Sequence, residues 1–563
     1  MGRSQDGGCR SLIRRAIGVM AVLTPLGLAS SAHAQLPPLP IPTLNQPPAP
    51  SYIGQPATPK AVLGIPATPQ NPFMAPNGTS EIHDDGWQTD VNWWGGPLGR
   101  QPVEVSNWLA VGLPPGPGRD CGTITFDRQG RVVAICVGAS GPTLYMFDPN
   151  TLETLATFAL PPRQHLPSNI FQDFTGGGYF YLDNQDRVVA ATTTHHIFVI
   201  GETPGAPGFT LIRDYSLTSV LNSNEDVTSA LPDSHGLVWF VTKTDGVVGT
   251  LNLTSGQIHA VHLGNGSENE IENSFATDQN GGVYIATNRK LYRFGAGSDG
   301  VPQIVWQVSY PNSYEHKPGQ VDDGTGTTPT VMPGGYVNIT DNADPMDLVV
   351  YRTAAHPTTT VMRHGRQTSV TLPREVCQVP IFAKGSGADE NSVISAGSSM
   401  IAENNYGYTD PTSVQGKVTA PGFVRVDLNA DGNGCHQVWL NTTESAPTVV
   451  SKLALAGGLV YTYTTDANGD WYWTTLDYRT GDVVYKVLAG NGLGYNNNYS
   501  GIAISPSGTE YLGTLGGIIA LRDAVPTSQP PPPAASPSRT ATRGHRHAVH
   551  HRRRRRRRAS FTG

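Results

Sequence analysis

Between residues 121 and 514 the chain repeatedly runs a short apolar strand into an Asp/Asn/Gly cluster and returns as a second apolar strand ending near a Thr. Segments 123–136, 179–192, 229–242, 274–287 and 501–514 all read this way. The turns, such as Asp127-Arg-Gln-Gly130 and Asp278-Gln-Asn-Gly281, supply residues that tolerate the positive φ a tight hairpin needs. A second hairpin follows several of them, at 147–158, 251–261 and 476–486. Two successive hairpins give four antiparallel strands, one propeller blade. Inner hairpins starting near 121, 179, 229, 274, 327, 391, 448 and 501 divide a body of 81–523 into eight units of about 55 residues. The expected fold is therefore all-β, a propeller of four-stranded antiparallel blades, eight favoured and seven the alternative. A two-sheet sandwich would not explain paired hairpins at this spacing. The last unit offers only three strands, at 502–505, 510–514 and 518–522. The missing fourth is expected from 103–111, which would close the ring and remove a free edge.

The hairpin of 476–486, with its Asp-x-x-Thr-Gly turn, and its relatives at 147–158 and 251–261 resemble the repeats of the quinoprotein-like and YVTN-type β-propeller superfamily. The resemblance implies the fold and leaves the activity open, because such propellers host enzymes, binders and scaffolds alike.

The formal charge of -6 is an average over unlike pieces. Residues 1–34 carry Arg3, Arg10, Arg14 and Arg15 against Asp6. Residues 524–563 carry ten Arg and no acid, which leaves -19 for 35–523. The first segment reads as a signal peptide, with Arg before an apolar stretch from Ala16 to Ala29 and small residues around Ala34 for cleavage. A secreted or cell-envelope protein with no transmembrane span in the mature chain is expected. Residues 35–80 hold a dense run of Pro and read as a disordered linker. Residues 524–563 read as a disordered Pro/His/Arg-rich tail. Its run of Arg552, Arg553, Arg554, Arg555, Arg556, Arg557 and Arg558 suits an anionic polymer or membrane surface.

Cys9 falls in the signal, so Cys121, Cys136, Cys377 and Cys435 remain, and in an exported chain they are expected to pair. A turn centred on Arg128-Gln129 puts Cys121 directly opposite Cys136. That leaves Cys377–Cys435, within or beside the sixth blade.

Two constellations carry candidate chemistry. Asp427, Asn429 and Asp431 lead into Gly432, alternate oxygen ligands before a tight turn, as a hard cation requires. They resemble the calcium loops of dockerins and integrin-type propellers, but Val438 stands where an EF-hand has its last Glu. An elongated hairpin turn explains the same residues. Residues just before each innermost strand face the mouth of the central channel. Here they include Asp120, Asp226, Glu272, Asn273, Glu390 and Asn391. Such a ring suits a ligand or a channel calcium, as in lactonase-type propellers. A hydrated acidic mouth would need the same residue types.

The leading expectation is a binding propeller whose ligand is a small molecule, glycan or protein at the channel mouth. The rival is a calcium-dependent hydrolase or lyase in the same channel. A quinone-dependent oxidoreductase stands further off, since Trp239, Trp306, Trp439, Trp471 and Trp473 are scattered. The sequence has no Gly-x-Ser-x-Gly elbow, His-Glu-x-x-His helix or phosphate-binding Gly-Lys-Thr loop, so no nucleotide cofactor is expected.

Overall fold

The computed structural model describes residues 51–109, 119–138, 141–163, 171–173, 175–363, 366–409, 411 and 416–524. The signal sequence, residues 35–50 and the basic tail beyond 524 lie outside the described residues.

Each expected inner hairpin opens a sheet, and the eight sheets are the blades of a propeller. Their innermost strands are Asp120–Phe126 (blade 1), Phe180–Leu182 (blade 2), Val227–Pro232 (blade 3), Ala276–Thr277 (blade 4), Thr330–Met332 (blade 5), Ile394–Ala396 (blade 6), Lys452–Ala454 (blade 7) and Ala503–Ile504 (blade 8). Among the described residues the only helical pieces are two 3-10 turns, Ser267–Asn269 and Leu493–Tyr495.

The repeated Asp does the same job in successive blades. Asp127 Oδ1 accepts from the amides of Gln129 and Arg131 at 2.9 and 2.8 Å. Asp183, Asp233 and Asp278 grip their own turns two and four residues on in the same way. An acceptor side chain thus replaces the ladder partner that the turn amides lose. Between blades the sheets are apolar on both faces. Separate clusters join blades 1 and 2 (Ile135, Leu144, Phe180, Val188), 4 and 5 (Tyr284, Leu291, Val337, Tyr351) and 5 and 6 (Leu348, Val350, Met400, Val424). Another joins 8 and 1 (Phe126, Phe147, Tyr511, Ile518), so the apolar packing runs around a closed ring.

Ring closure follows the expected route. Pro102–Trp108 pairs antiparallel with Gly517–Asp523 as the outer strand of blade 8. Asp523 fastens the junction, its two oxygens accepting from the amides of Leu98 and Arg100 at 2.9 and 2.8 Å.

Both disulfides form as paired in the sequence. Phe126 pairs with Val132 and Ile124 with Ala134, so the hairpin centres on Gln129. A bulge between Cys121 and Ile124 then restores the Cys121–Cys136 pairing. Cys377 lies on Glu375–Pro380, the outer strand of blade 5, and Cys435 on Cys435–Asn441, the outer strand of blade 6. The second bridge therefore staples two neighbouring blades.

The reading of 35–80 as a disordered linker fails for 51–80. Tyr52–Gly54 adds a strand to the outer edge of blade 7. Beyond it the amides of Ala57, Lys60, Val62 and Ala75 donate to the carbonyls of Leu98, Gly457, Leu455 and Leu182 at 2.7–2.9 Å. Ala57 and Met74 are buried at 3 and 1% exposure. Pro removes donors, but the amides between the prolines suffice when a finished sheet rim supplies the acceptors. The segment folds onto the ring, not by itself.

Candidate functional site at the channel mouth

The innermost strand of every blade has one unpaired edge facing the channel, and an unpaired edge seeks hydrogen-bond partners. Residues 71–94, here called the strap, supply them. Asn71 Nδ2 donates to Pro232 O of blade 3 at 2.8 Å, and Asn77 Nδ2 to Phe126 O of blade 1 at 2.6 Å. The amides of Leu182, Thr277, Val331, Ser395 and Leu453 donate to strap carbonyls at Ser80, Gly86, Trp87, Thr89 and Asp90. Trp94 Nε1 donates to Ile504 O of blade 8 at 2.7 Å. All eight blades thus touch one segment, which holds the end of the channel where the innermost strands finish. Val91–Asn92 also pairs parallel with the innermost strand of blade 7.

At the other end, where the innermost strands begin, a cavity of about 30 Å³ remains, room for about two waters. Gly122, Tyr179, Asn273, Thr328, Glu390, Asn391 and Tyr499 line it from the blades, and Ile82 and His83 from the strap. Of the expected mouth residues, Asn273, Glu390 and Asn391 meet at this cavity. Tyr179 donates to Asn273 Oδ1 at 3.2 Å, and Asn273 Nδ2 donates to Gly326 O at 2.7 Å. Asn391 Nδ2 donates to Glu403 Oε1. Glu272 is buried and paired with Lys243 Nζ at 2.7 Å. Asp120 is held by Ser500 Oγ at 2.9 Å and Asn498 Nδ2 at 3.2 Å. Asp226 lies apart, lining a second hollow with Arg163, Asp173, Thr193 and His195.

Burial dominates the electrostatics. It pushes the Asp120 carboxyl up to about 7 against its two hydrogen bonds. It raises Glu272 against the pull of Lys243, and lifts Glu390 and Asp322 well above the carboxylate range, with Glu272 adding to both and Asp322 adding to Glu390. Three buried carboxyls therefore share one nearby ammonium. Two unpartnered atoms belong to cavity-lining side chains, Glu390 Oε1 and His83 Nε2, and both can accept. The other ring nitrogen of His83 is occupied, with Ser392 Oγ at 2.7 Å and Asp90 Oδ1 at 3.3 Å, and burial holds the imidazole below its usual range.

Sequence reasoning missed His83, just beyond the apparent linker, and Asp322, which is 6% exposed. The one available signal was the density of Asp, Glu, His and Asn in 77–92 beside so many prolines. The Asp427–Asp431 stretch runs from the end of Phe423–Leu428 into the turn before Cys435–Asn441. The Asp427 carboxylate is held by Arg425 at 2.7 Å, Asn429 Oδ1 faces His436 Nδ1 at 2.8 Å, and Asp431 Oδ1 accepts from the Asn433 amide at 2.9 Å. Among the described residues no three His, Cys, Asp or Glu side chains converge as a metal-binding group would. Among them, too, no helix is long and apolar enough to cross a membrane.

No protein-family model matches the chain. It is similar to an uncharacterised protein of Archaeoglobus fulgidus, 24% identical over 371 residues, which cover 62% of this chain and 70% of that one. Among solved structures it is similar to a catalytically inactive virginiamycin B lyase from Staphylococcus aureus with quinupristin, at 10% identity and a TM-score of 0.38, covering 75% of this chain and 98% of that one. It is also similar to a functionally unknown protein from Desulfotomaculum acetoxidans, at 11% identity and a TM-score of 0.37, covering 64% and 95%.

Proposed function

We propose that this chain is an exported β-propeller that binds a small cationic ligand at the channel mouth and attaches to anionic surfaces through its Arg tail. The observation that carries the binding reading is the surplus of buried acceptors. Among the described residues the three carboxyls Glu272, Asp322 and Glu390 have one ion pair, Glu272 with Lys243, and the cavity offers the unpartnered Glu390 Oε1 and His83 Nε2. A buried carboxylate needs a counter-charge or a proton. An ammonium or amidinium group would supply the charge, displace the proton and complete both acceptors, with Tyr179 and Tyr499 beside it. Export rests on the N-terminal sequence, and the two disulfides are compatible with an oxidising compartment. Attachment rests on the run Arg552–Arg558.

The same surplus of oxygen also favours a second reading, in which calcium enters the mouth and polarises a substrate oxygen for hydrolysis or elimination. Titration calorimetry with spermidine and, separately, with calcium chloride distinguishes the two. Heat from the amine that disappears in Glu390→Gln supports the first reading. Calcium heat with a chelator-sensitive melting point supports the second, and silence from both rejects the mouth as a cation site. For the tail, co-sedimentation with phosphatidylglycerol vesicles should be lost when 540–563 are deleted, and persistence would reject the attachment.

A further inference from the structure

The strap carries a second constellation, on the side of blade 7. Lys452, the first residue of that blade's innermost strand, has no exposed surface. Its Nζ lies 2.5 Å from Asp90 Oδ1, touches the carbonyl of Ile82 and stands 3.6 Å from Asp84 Oδ1. Asp90 is equally buried, and its second oxygen accepts from Ser392 Oγ. Backbone pairing locks the approach. Val91 is in register with Leu453, and the Leu453 amide donates to Asp90 O at 2.9 Å. Asp84 is 2% exposed and faces Asn92 Nδ2 at 3.3 Å. An amine and a carboxyl 362 residues apart are thus held in contact, away from water, with a third group able to move protons. That is the arrangement that converts a bimolecular condensation into an intramolecular one.

We propose that Lys452 and Asp90 condense to an intramolecular isopeptide bond. The ammonium and carboxylate are one proton transfer away from amine and acid. The Nζ lone pair attacks Asp90 Cγ, the Cγ–O bond breaks, and the pair becomes one amide and one water. Asp84 lends its proton to the departing oxygen and takes one from Nζ, so it ends as it began. Burial supports this role by pushing the Asp84 carboxyl up to about 8, so that it holds a proton at neutral pH. No oxidant or further reactant enters. The product ties the strap covalently to blade 7 and encloses residues 90–452 in one loop.

Tryptic mapping of the reduced and alkylated full-length protein tests this without any substitution. Trypsin finds no Lys or Arg within 61–99, and Lys452 is the only site within 426–478. The expected species is residues 61–100 joined to residues 426–479, lighter by one water than its parts and uncut at Lys452. Recovery of free 61–100 together with 426–452 and 453–479 as the main products overturns the proposal. Asp84→Asn keeps both reacting groups, and its joined species should form about tenfold more slowly or worse. An unchanged rate would overturn the role given to Asp84.

Discussion

Trp473 Nε1 donates a 2.7 Å hydrogen bond to Glu104 Oε2, which ties the ring-closing strand to blade 7 across 369 residues of sequence. Glu104→Ala leaves the buried indole N–H without a partner and should cost about 1–3 kcal/mol in denaturant unfolding. Glu104→Gln keeps an acceptor in place and should cost little. Equal losses for the two variants would show that this bond is not what holds the closure.

The buried carboxyls give the stability an unusual pH dependence. Burial lifts Glu104 and Asp341 to about 7 and Glu403 to about 8. Each is raised above its unfolded value, so the stability it adds is complete below the ordinary carboxylate range and is lost as pH climbs through 7 to 8. The melting midpoint should fall between about pH 5 and about pH 9. Glu104→Gln, fixed in the neutral form, should flatten part of that fall. A midpoint rising over the same interval would contradict the assignment.

The disulfides close loops of different size, with sequence separations of 15 and 58. On the loop-entropy model they contribute about 3 and about 4 kcal/mol. Cys377→Ser with Cys435→Ser should therefore lower the denaturation midpoint more than Cys121→Ser with Cys136→Ser. The opposite order would mean that the hairpin bridge does more than close its loop.

Gly458 lets the segment around Lys60 lie close against the rim of blade 7. Its φ is +64°, and a Cβ there would come within 2.2 Å of Lys60 O. Gly458→Ala should push the segment around Lys60 away from the rim and expose Lys60 to trypsin at least about tenfold faster, besides a backbone strain of about 1 kcal/mol. Unchanged cleavage after Lys60 would show that the contact yields at no cost.

At the mouth, a bound cation should displace protons from the buried carboxyls, above all Glu390, which burial lifts well above the carboxylate range. Spermidine affinity should strengthen as pH rises, with proton release measurable in buffers of different ionisation heat. Glu390→Gln should weaken it by about tenfold or more. Affinity independent of pH would remove these carboxyls from the site.

The ring was legible in the sequence because its grammar is local. Asp127, Asp183, Asp233 and Asp278 each cap a turn made within five residues, so a reader of short windows sees blades 1 to 4. The mouth followed from topology alone, since residues preceding innermost strands must share one end. The strap was not legible because the bonds that fix 51–94 on the ring run to residues distant in sequence. The partners of Ser80, Gly86, Trp87 and Thr89 lie in blades 2, 4, 5 and 6, and a proline-rich stretch looks unfolded until those partners are known. Asp322 was missed for the same reason, since Glu272, whose charge raises its carboxyl, belongs to another blade.

The strap also sets a timetable. Tyr52–Gly54 needs Tyr485–Val487, Asp90 needs Lys452, and Pro102–Trp108 needs Gly517–Asp523. The residues that leave the ribosome early are the ones whose partners arrive last. Blades 1 to 6 can take shape during synthesis and meet residues 71–89 as they do, but the ties to blades 7 and 8 wait until the whole body has been delivered. Assembly of this protein therefore ends where its sequence begins. A chain that stops before blade 7 lacks the partners of both Tyr52–Gly54 and Asp90.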